Sequence, residues 1–98
     1  MTRQAVLDAL AQFFDSGHFY TELARRVALP TESQIPESAP YLRRYLDEEM
    51  APMLETMGYT QKIFANPVEG GGPFLIARRI ETESGPTVLT YGHGDVIR

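Results

Sequence analysis

The sequence predicts an α/β domain in which three helices precede three strands. Up to Gly58, apolar residues recur at three- and four-residue intervals, which is the spacing of amphipathic helices. After Gly58, short runs rich in β-branched and aromatic residues alternate with Gly and Pro, which is typical of strands and turns. A length of 98 residues fits one domain, and the short connections favour an antiparallel meander for the strands.

Two short helices are expected at the start of the chain. Thr2 is a suitable N-cap residue for the first helix. The apolar positions of this helix are Val6, Leu7, Leu10, Phe13 and Phe14. Asp15-Ser16-Gly17 marks its end, and a second apolar stripe then begins at Phe19. The sequence therefore predicts two amphipathic helices with a break near Gly17.

The third and longest helix is expected from Ser38 to Gly58. Its apolar face comprises Leu42, Tyr45, Leu46, Met50, Met53, Leu54 and Met57. A kink near residues 48–52 is predicted, because Pro52 lacks an N–H and its ring crowds the preceding turn. The acidic run Asp47-Glu48-Glu49 is interpreted as a solvated face of this helix.

Three strands are expected at residues 59–64, 74–80 and 87–92. The connection between the first two, residues 67–73, contains three consecutive glycines. No Lys-Ser/Thr pair and no helix follow these glycines, so a flexible hairpin loop is favoured over a phosphate-binding loop.

Composition excludes several kinds of site. With 9 basic residues, 13 acidic residues and a net charge of -4, the chain lacks the clustered basic surface that binds nucleic acid. The doublets Arg25-Arg26, Arg43-Arg44 and Arg78-Arg79 are interpreted as solvated. Cysteine is absent, so any metal must be held by His, Asp or Glu. No apolar stretch reaches signal-peptide or membrane-spanning length, so a cytoplasmic protein without a membrane partner is predicted.

The closing stretch contains a histidine and an aspartate that are two residues apart. On a strand, His93 and Asp95 would share one face, and a carboxylate beside an imidazole is the usual companion of a metal-ligating histidine. Taken alone, the triplet is more often a strand that ends in a Gly-rich turn. His18, in the break between the first two helices, is interpreted as a surface or capping histidine.

Three segments follow one another at characteristic distances: the loop Leu29-Pro30-Thr31-Glu32-Ser33, the helix end Met57-Gly58-Tyr59 and, most specifically, Leu89-Thr90-Tyr91-Gly92-His93-Gly94-Asp95-Val96. With these segments, the order of the elements resembles the N-terminal part of a family of zinc-dependent exopeptidases and deacylases. The family contains acetylornithine deacetylase, succinyl-diaminopimelate desuccinylase, aminoacylase, carnosinase-like dipeptidases and glutamate carboxypeptidase. The resemblance covers essentially the whole chain.

The resemblance implies the N-terminal portion of a three-layer α/β/α catalytic domain built on a mixed sheet. It also implies that His93 is a metal ligand in a two-zinc centre. Asp95 would be a catalytic-site residue that supports a ligand by hydrogen bonding. The implied reaction is hydrolysis of a small peptide or N-acyl amino acid by a zinc-bound water, with a glutamate from later in the family's chain as general base.

The chain also departs from the family pattern. The bridging aspartate, the glutamate pair, the other acidic ligand and the C-terminal histidine have no counterpart within its 98 residues. A catalytic zinc normally takes three protein ligands, so one histidine does not suffice. The sequence is therefore interpreted as a single incomplete catalytic domain, residues 1–98, truncated after the His-x-Asp motif and inactive alone.

Two further expectations follow from that interpretation. In the family, a later strand separates the second strand from the one that carries His93. Without it, the chain is expected either to pair its own strands or to leave a strand edge that recruits another copy. Residues from about Gly94 on are expected to be weakly held.

The alternative to a metallohydrolase fragment is a non-catalytic α/β interaction module that binds a partner through its sheet or through Tyr41 and Tyr45.

Overall fold

The computed structural model describes residues 1–97 as a series of helices followed by a two-stranded antiparallel sheet. The helices are α1 (Arg3–Asp15), α2 (His18–Val27), α3 (Ala39–Arg44) and α4 (Ala51–Thr56), and the strands are β1 (Thr60–Phe64) and β2 (Phe74–Arg78). A 3-10 turn (Pro36–Ser38) precedes α3, and a π-helical segment (Tyr45–Met50) joins α3 to α4 without a break. The three predicted helices are thus confirmed, the third in several parts. No helix in the described range is long and apolar enough to cross a membrane.

The first two helices follow their local sequence signals. The Oγ1 of Thr2 accepts a hydrogen bond from the backbone N–H of Ala5 at 3.1 Å and so caps α1. Gly17, with a φ of 87°, separates α1 from α2 in a backbone conformation that residues with a Cβ rarely adopt. The predicted break is confirmed, and the two helices contact each other.

Pro52 lies at the start of α4 and cannot donate a helical hydrogen bond. The helix accommodates it with a wider turn before the proline. The backbone N–H of Ala51 donates to the carbonyl of Leu46, five residues back, which is the π-helical pattern. Because Pro52 has no N–H to donate, the preceding turn takes up one extra residue, and the helix then continues. The irregularity predicted near residues 48–52 therefore takes the form of the π-helical segment.

The third helix ends as its closing glycine predicts. Gly58 has a φ of 85° and donates its N–H to the carbonyl of Glu55 at 3.0 Å. The N–H of Tyr59 donates to the carbonyl of Leu54, also at 3.0 Å. These two bonds form a complete Schellman motif, which satisfies carbonyls that the helix end would otherwise leave free.

The two strands form a hairpin with one covered face. Gln61 pairs with Ala77 and Ile63 with Leu75, and these four side chains are half-buried. The alternating positions of both strands are exposed. Because β1 contacts α4, the covered face of the hairpin is the one that packs towards the third helix. The first two predicted strands are confirmed.

The third predicted strand is not confirmed, because residues 87–92 form no strand in the structure. Val88, Leu89 and Tyr91 are 82%, 94% and 91% exposed. A strand needs a neighbouring backbone to accept and donate its hydrogen bonds, and none of the described residues supplies one here. The chain makes its next pairing only at Val96, which forms an isolated parallel bridge with Glu32.

The acidic run of the third helix is only partly solvated. Asp47 and Glu48 are exposed, but Glu49 is 7% exposed and lies against the end of α2. The Nε of Arg25 donates to both carboxylate oxygens of Glu49 at 2.8 Å, and the Nε of Arg26 lies 3.5 Å from one of them. The interpretation of Glu49 and of Arg26 as solvated is therefore wrong, whereas Arg25 is 55% exposed although it pairs with Glu49. Neutralising two cations of α2 is the physical reason for burying this carboxylate.

Apolar surface is exposed on an unusual scale. Ala51 is the only buried hydrophobic residue among those described, and the apolar stripes of α1 and α2 are exposed. The accessible surface is 8284 Å², whereas a compact chain of this mass exposes about 5,600 Å². The radius of gyration is 16.0 Å, against about 12.6 Å for a compact domain of this length. The described residues therefore do not bury their own apolar faces.

Replacing Glu49 by Ala is expected to lower the free energy of unfolding by about 3 kcal/mol, because the arginines of α2 lose the anion that compensates them. Urea denaturation followed by circular dichroism measures the change. Glu48→Ala is the matched control, since Glu48 forms an exposed i,i+4 pair with Arg44. Its effect is expected to stay below about 0.5 kcal/mol. Equal losses in the two variants would contradict a specific role for Glu49.

Candidate functional site

The structure brings the side chains of His93 and Asp95 together, as their spacing predicts. The Nδ1 of His93 lies 2.9 Å from the Oδ1 of Asp95 and 3.1 Å from the backbone carbonyl oxygen of the same residue. The residues lie in an irregular segment and not on the predicted strand. The pair therefore forms within the irregular segment of residues 93–96, the His93 turn, and does not need a sheet to align it.

The contacts of Nδ1 define which imidazole nitrogen remains available. Both of its neighbours are oxygens that accept hydrogen bonds, so in the paired state Nδ1 carries the proton. In the neutral ring, Nε2 then holds a free electron pair. The side chain of His93 is 68% exposed. The turn therefore presents Nε2 as a nitrogen able to bind a metal ion, with the tautomer set by the carboxylate.

Two residues of the loop after α2 hold this turn in place. The Oγ of Ser33 donates to the Oδ2 of Asp95 at 2.7 Å, so Asp95 is bound through both carboxylate oxygens. The Oγ1 of Thr31 donates to the carbonyl of Gly94 at 2.8 Å, and the N–H of Val96 donates to the carbonyl of Thr31 at 2.9 Å. Thr31 is only 3% exposed, which makes it a fixed support for the turn.

These contacts correct one expectation and add two site residues. The expectation that the chain is weakly held from about Gly94 on is wrong for Gly94, Asp95 and Val96, since each bonds to the loop at residues 31–33. Arg98 lies outside the described residues. In the sequence, Thr31 and Ser33 belong only to the loop that carries part of the resemblance. No local pattern indicates that both hydroxyl groups belong to the site, because their partners lie more than sixty residues away.

Among its neighbours, the Ser33 hydroxyl favours the charged form of Asp95 most. Its hydrogen bond lowers the pKa of the Asp95 carboxyl below the ordinary value, with a smaller lowering from His93, while desolvation acts in the opposite direction. At neutral pH the carboxylate is therefore charged, which is the form that accepts the Nδ1 proton of His93. Ser33, Asp95 and His93 form a continuous hydrogen-bonded chain.

The described residues supply one histidine nitrogen and its hydrogen-bond partner, but no complete metal site. Within residues 1–97, no group of three or more His, Asp or Glu side chains could hold a metal ion. The other histidine, His18, lies apart at the start of α2, where Nδ1 is 2.7 Å from the Ser16 hydroxyl and the ring stacks on Phe13. A catalytic zinc needs more ligands than His93 alone.

Comparison of the chain with protein-family models, with curated proteins and with solved structures finds no match.

Replacing Ser33 by Ala is expected to raise the pKa of the Asp95 carboxyl towards its ordinary value, because the largest lowering influence is lost. A carboxyl with a lowered pKa in the folded state adds stability above its unfolded pKa and loses it as the pH falls through the folded pKa. The turn should thus detach at a higher pH in the variant. Carbon-detected NMR titration of the Asp95 carboxyl between about pH 2 and pH 6 covers this window.

Ser16→Ala is the matched control for that titration, because the Ser16 hydroxyl contacts His18 and not Asp95. An Asp95 titration curve that is the same in Ser33→Ala and in the unmodified chain would show that Ser33 does not lower the pKa of the Asp95 carboxyl.

Proposed function

We propose that this chain is the N-terminal part of the catalytic domain of a zinc-dependent metallohydrolase. The parent enzyme would cleave peptide or N-acyl amide bonds of small substrates in the cytoplasm. His93 would be one zinc ligand, and Asp95 would orient it. The observation that supports this most directly is the hydrogen bond between Nδ1 of His93 and Oδ1 of Asp95, 2.9 Å long, in a ring that is 68% exposed.

The chain's contribution to such a site is a single, oriented nitrogen. Asp95 holds the proton on Nδ1, and Ser33 holds Asp95 from its other oxygen, so the ring cannot rotate without breaking a charge-assisted hydrogen bond. Bound zinc would supply Lewis acidity and lower the pKa of a bound water. Residues 1–97 do not provide the further ligands. No step of the reaction is therefore assigned to this chain beyond holding His93 in place.

The exposed apolar surface supports the view that more protein belongs on this chain. Helices α1 and α2 present apolar stripes, and the outer side of the hairpin presents Phe74 and Ile76. Soluble proteins rarely leave contiguous apolar surface uncovered unless a partner or another part of the fold packs there. The rest of a three-layer domain would cover both faces.

The same surface is the observation that favours the second candidate, a non-catalytic α/β interaction module. In that case a separate protein would cover the apolar faces, and the His93 turn would be a structural feature. The two candidates differ in what the gene encodes after Arg98. An enzyme requires a reading frame that continues into acidic and histidine metal ligands, whereas the module requires a stop codon.

The 98-residue chain is expected to show no zinc-dependent hydrolysis of dipeptides or N-acetyl amino acids. The product of the longer reading frame is expected to hydrolyse one of these classes. Within that product, His93→Ala should lower kcat/KM by at least about a hundredfold, because one of the proposed zinc ligands is lost. His18→Ala is the matched control, since His18 contacts Ser16 and Phe13 only through exposed side chains. A stop codon after Arg98, or activity that survives His93→Ala, would contradict the proposal.

The isolated chain is expected to self-associate through its unpaired residues 87–92, giving a mass above the 11.0 kDa of the monomer in light scattering. Leu89→Lys should reduce this association, because a charge within this segment opposes its edge-to-edge pairing with another copy. Val68→Lys, at another exposed apolar position, is the matched control. A monomer at high concentration, or equal effects of the two lysines, would contradict pairing at this segment.

A further inference from the structure

The glycine between His93 and Asp95 lies directly against the ring of Tyr45. A Cβ placed on Gly94 would overlap Cε1, Cζ and Cδ1 of that ring, so the position has no room for a side chain. Its φ is not in the left-handed region, which only Gly17, Gly58 and Gly70 occupy among the described glycines. Gly94 is therefore required by the close approach of Tyr45 and not by backbone conformation.

Gly94 is also held by a hydrogen bond. Its carbonyl accepts the hydrogen bond of the buried Thr31 hydroxyl at 2.8 Å. The Tyr45 ring packs against the same residue. Because His93 and Asp95 are its immediate neighbours, any displacement of Gly94 moves both members of the pair. The contact with Tyr45 thus acts on the separation between Nδ1 and Oδ1.

The direction of Tyr45 depends on the helix that carries it. Tyr45 is the first residue of the π-helical segment, and α4 at the other end contacts β1. A π-helical turn holds an extra residue, so Tyr45 is rotated by about 100° relative to its position on an uninterrupted α-helix that continues α4. The π-helical segment thus orients Tyr45 towards Gly94, while α4 remains packed against the hairpin.

We propose that Tyr45 is a positioning residue for His93. The π-helical segment aims its ring at Gly94, and this contact sets the pairing of His93 with Asp95. The consequence for a metal ligand rests on the function proposed above, but the pairing itself can be measured without metal or substrate. The tautomer of His93 is the readout, because it reports the Nδ1 hydrogen bond and not general stability.

The experiment measures nitrogen chemical shifts of the His93 imidazole in the metal-free chain, at a pH where the ring is neutral. Gly94→Ala is expected to lower the ratio of the Nδ1–H to the Nε2–H tautomer about tenfold, the effect of losing one charge-assisted hydrogen bond. Gly92→Ala is the matched control, since it also flanks His93 and a Cβ there meets nothing within 4 Å. Amide shifts of β1 and β2 report whether each variant remains folded.

A double-mutant cycle tests whether the effect of Gly94→Ala arises from its contact with the Tyr45 ring. In a Tyr45→Ala background the alanine at position 94 has no ring to overlap, so its further effect on the ratio is expected to be less than about twofold. Tyr45→Phe keeps the ring and should keep the unmodified ratio. Equal effects of Gly92→Ala and Gly94→Ala, or additive effects of the changes at positions 45 and 94, would overturn the proposal.

Pro52→Ala tests the role of the π-helical segment. Restoring the missing N–H should favour a regular α-helix, turn Tyr45 away from Gly94 and lower the tautomer ratio, while helical circular dichroism is maintained. An unchanged ratio with a regular helix would show that the segment does not aim Tyr45. Neither result depends on hydrolysis, so a failure of the proposed enzyme function would leave this test intact.

Discussion

The backbone N–H that Pro52 lacks is the constraint on which the third helix, and through it the candidate site, depends. An α-helix cannot pass a proline without losing a hydrogen bond and crowding the preceding turn. Here the helix takes up an extra residue over Tyr45–Met50 and continues. That adjustment accompanies the placement of Glu49 beneath the arginines of α2 and of Tyr45 against Gly94. One imino acid thereby affects both the packing of the helices and the geometry of a turn over forty residues away in sequence.

The chemistry of the candidate site comes from a chain of three side chains and not from burial. Ser33 binds one oxygen of Asp95, and His93 lies against the other. The charged carboxylate of Asp95 holds a proton on one ring nitrogen and leaves the other free. The ring is largely exposed, and so is much of the apolar surface around the helices. An oriented histidine thus lies within a chain that leaves much of its apolar surface uncovered.

Local signals in the sequence predicted the local structure well. Thr2, Gly17 and Gly58 placed the helix ends, because caps and left-handed glycines act over a few residues. The third strand and the burial of Glu49 were not predictable in this way. A strand depends on a distant backbone partner, and Glu49 depends on Arg25, which lies 24 residues earlier in the chain. At the site, spacing predicted that His93 and Asp95 meet, but no local pattern specified that Ser33 and Thr31 would join them.

The hydrogen bonds of Thr31 and Ser33 join residues 63 and 62 positions apart in the chain. Closing a loop of that length costs chain entropy, and only a few bonds compensate for it. The helices and the β1–β2 hairpin need no such closure, since their contacts are local. We therefore expect the His93 turn to form after these elements and to open before them. Amide hydrogen exchange at Val96, whose N–H is bound by Thr31, would follow the local opening of the site separately from unfolding of the chain.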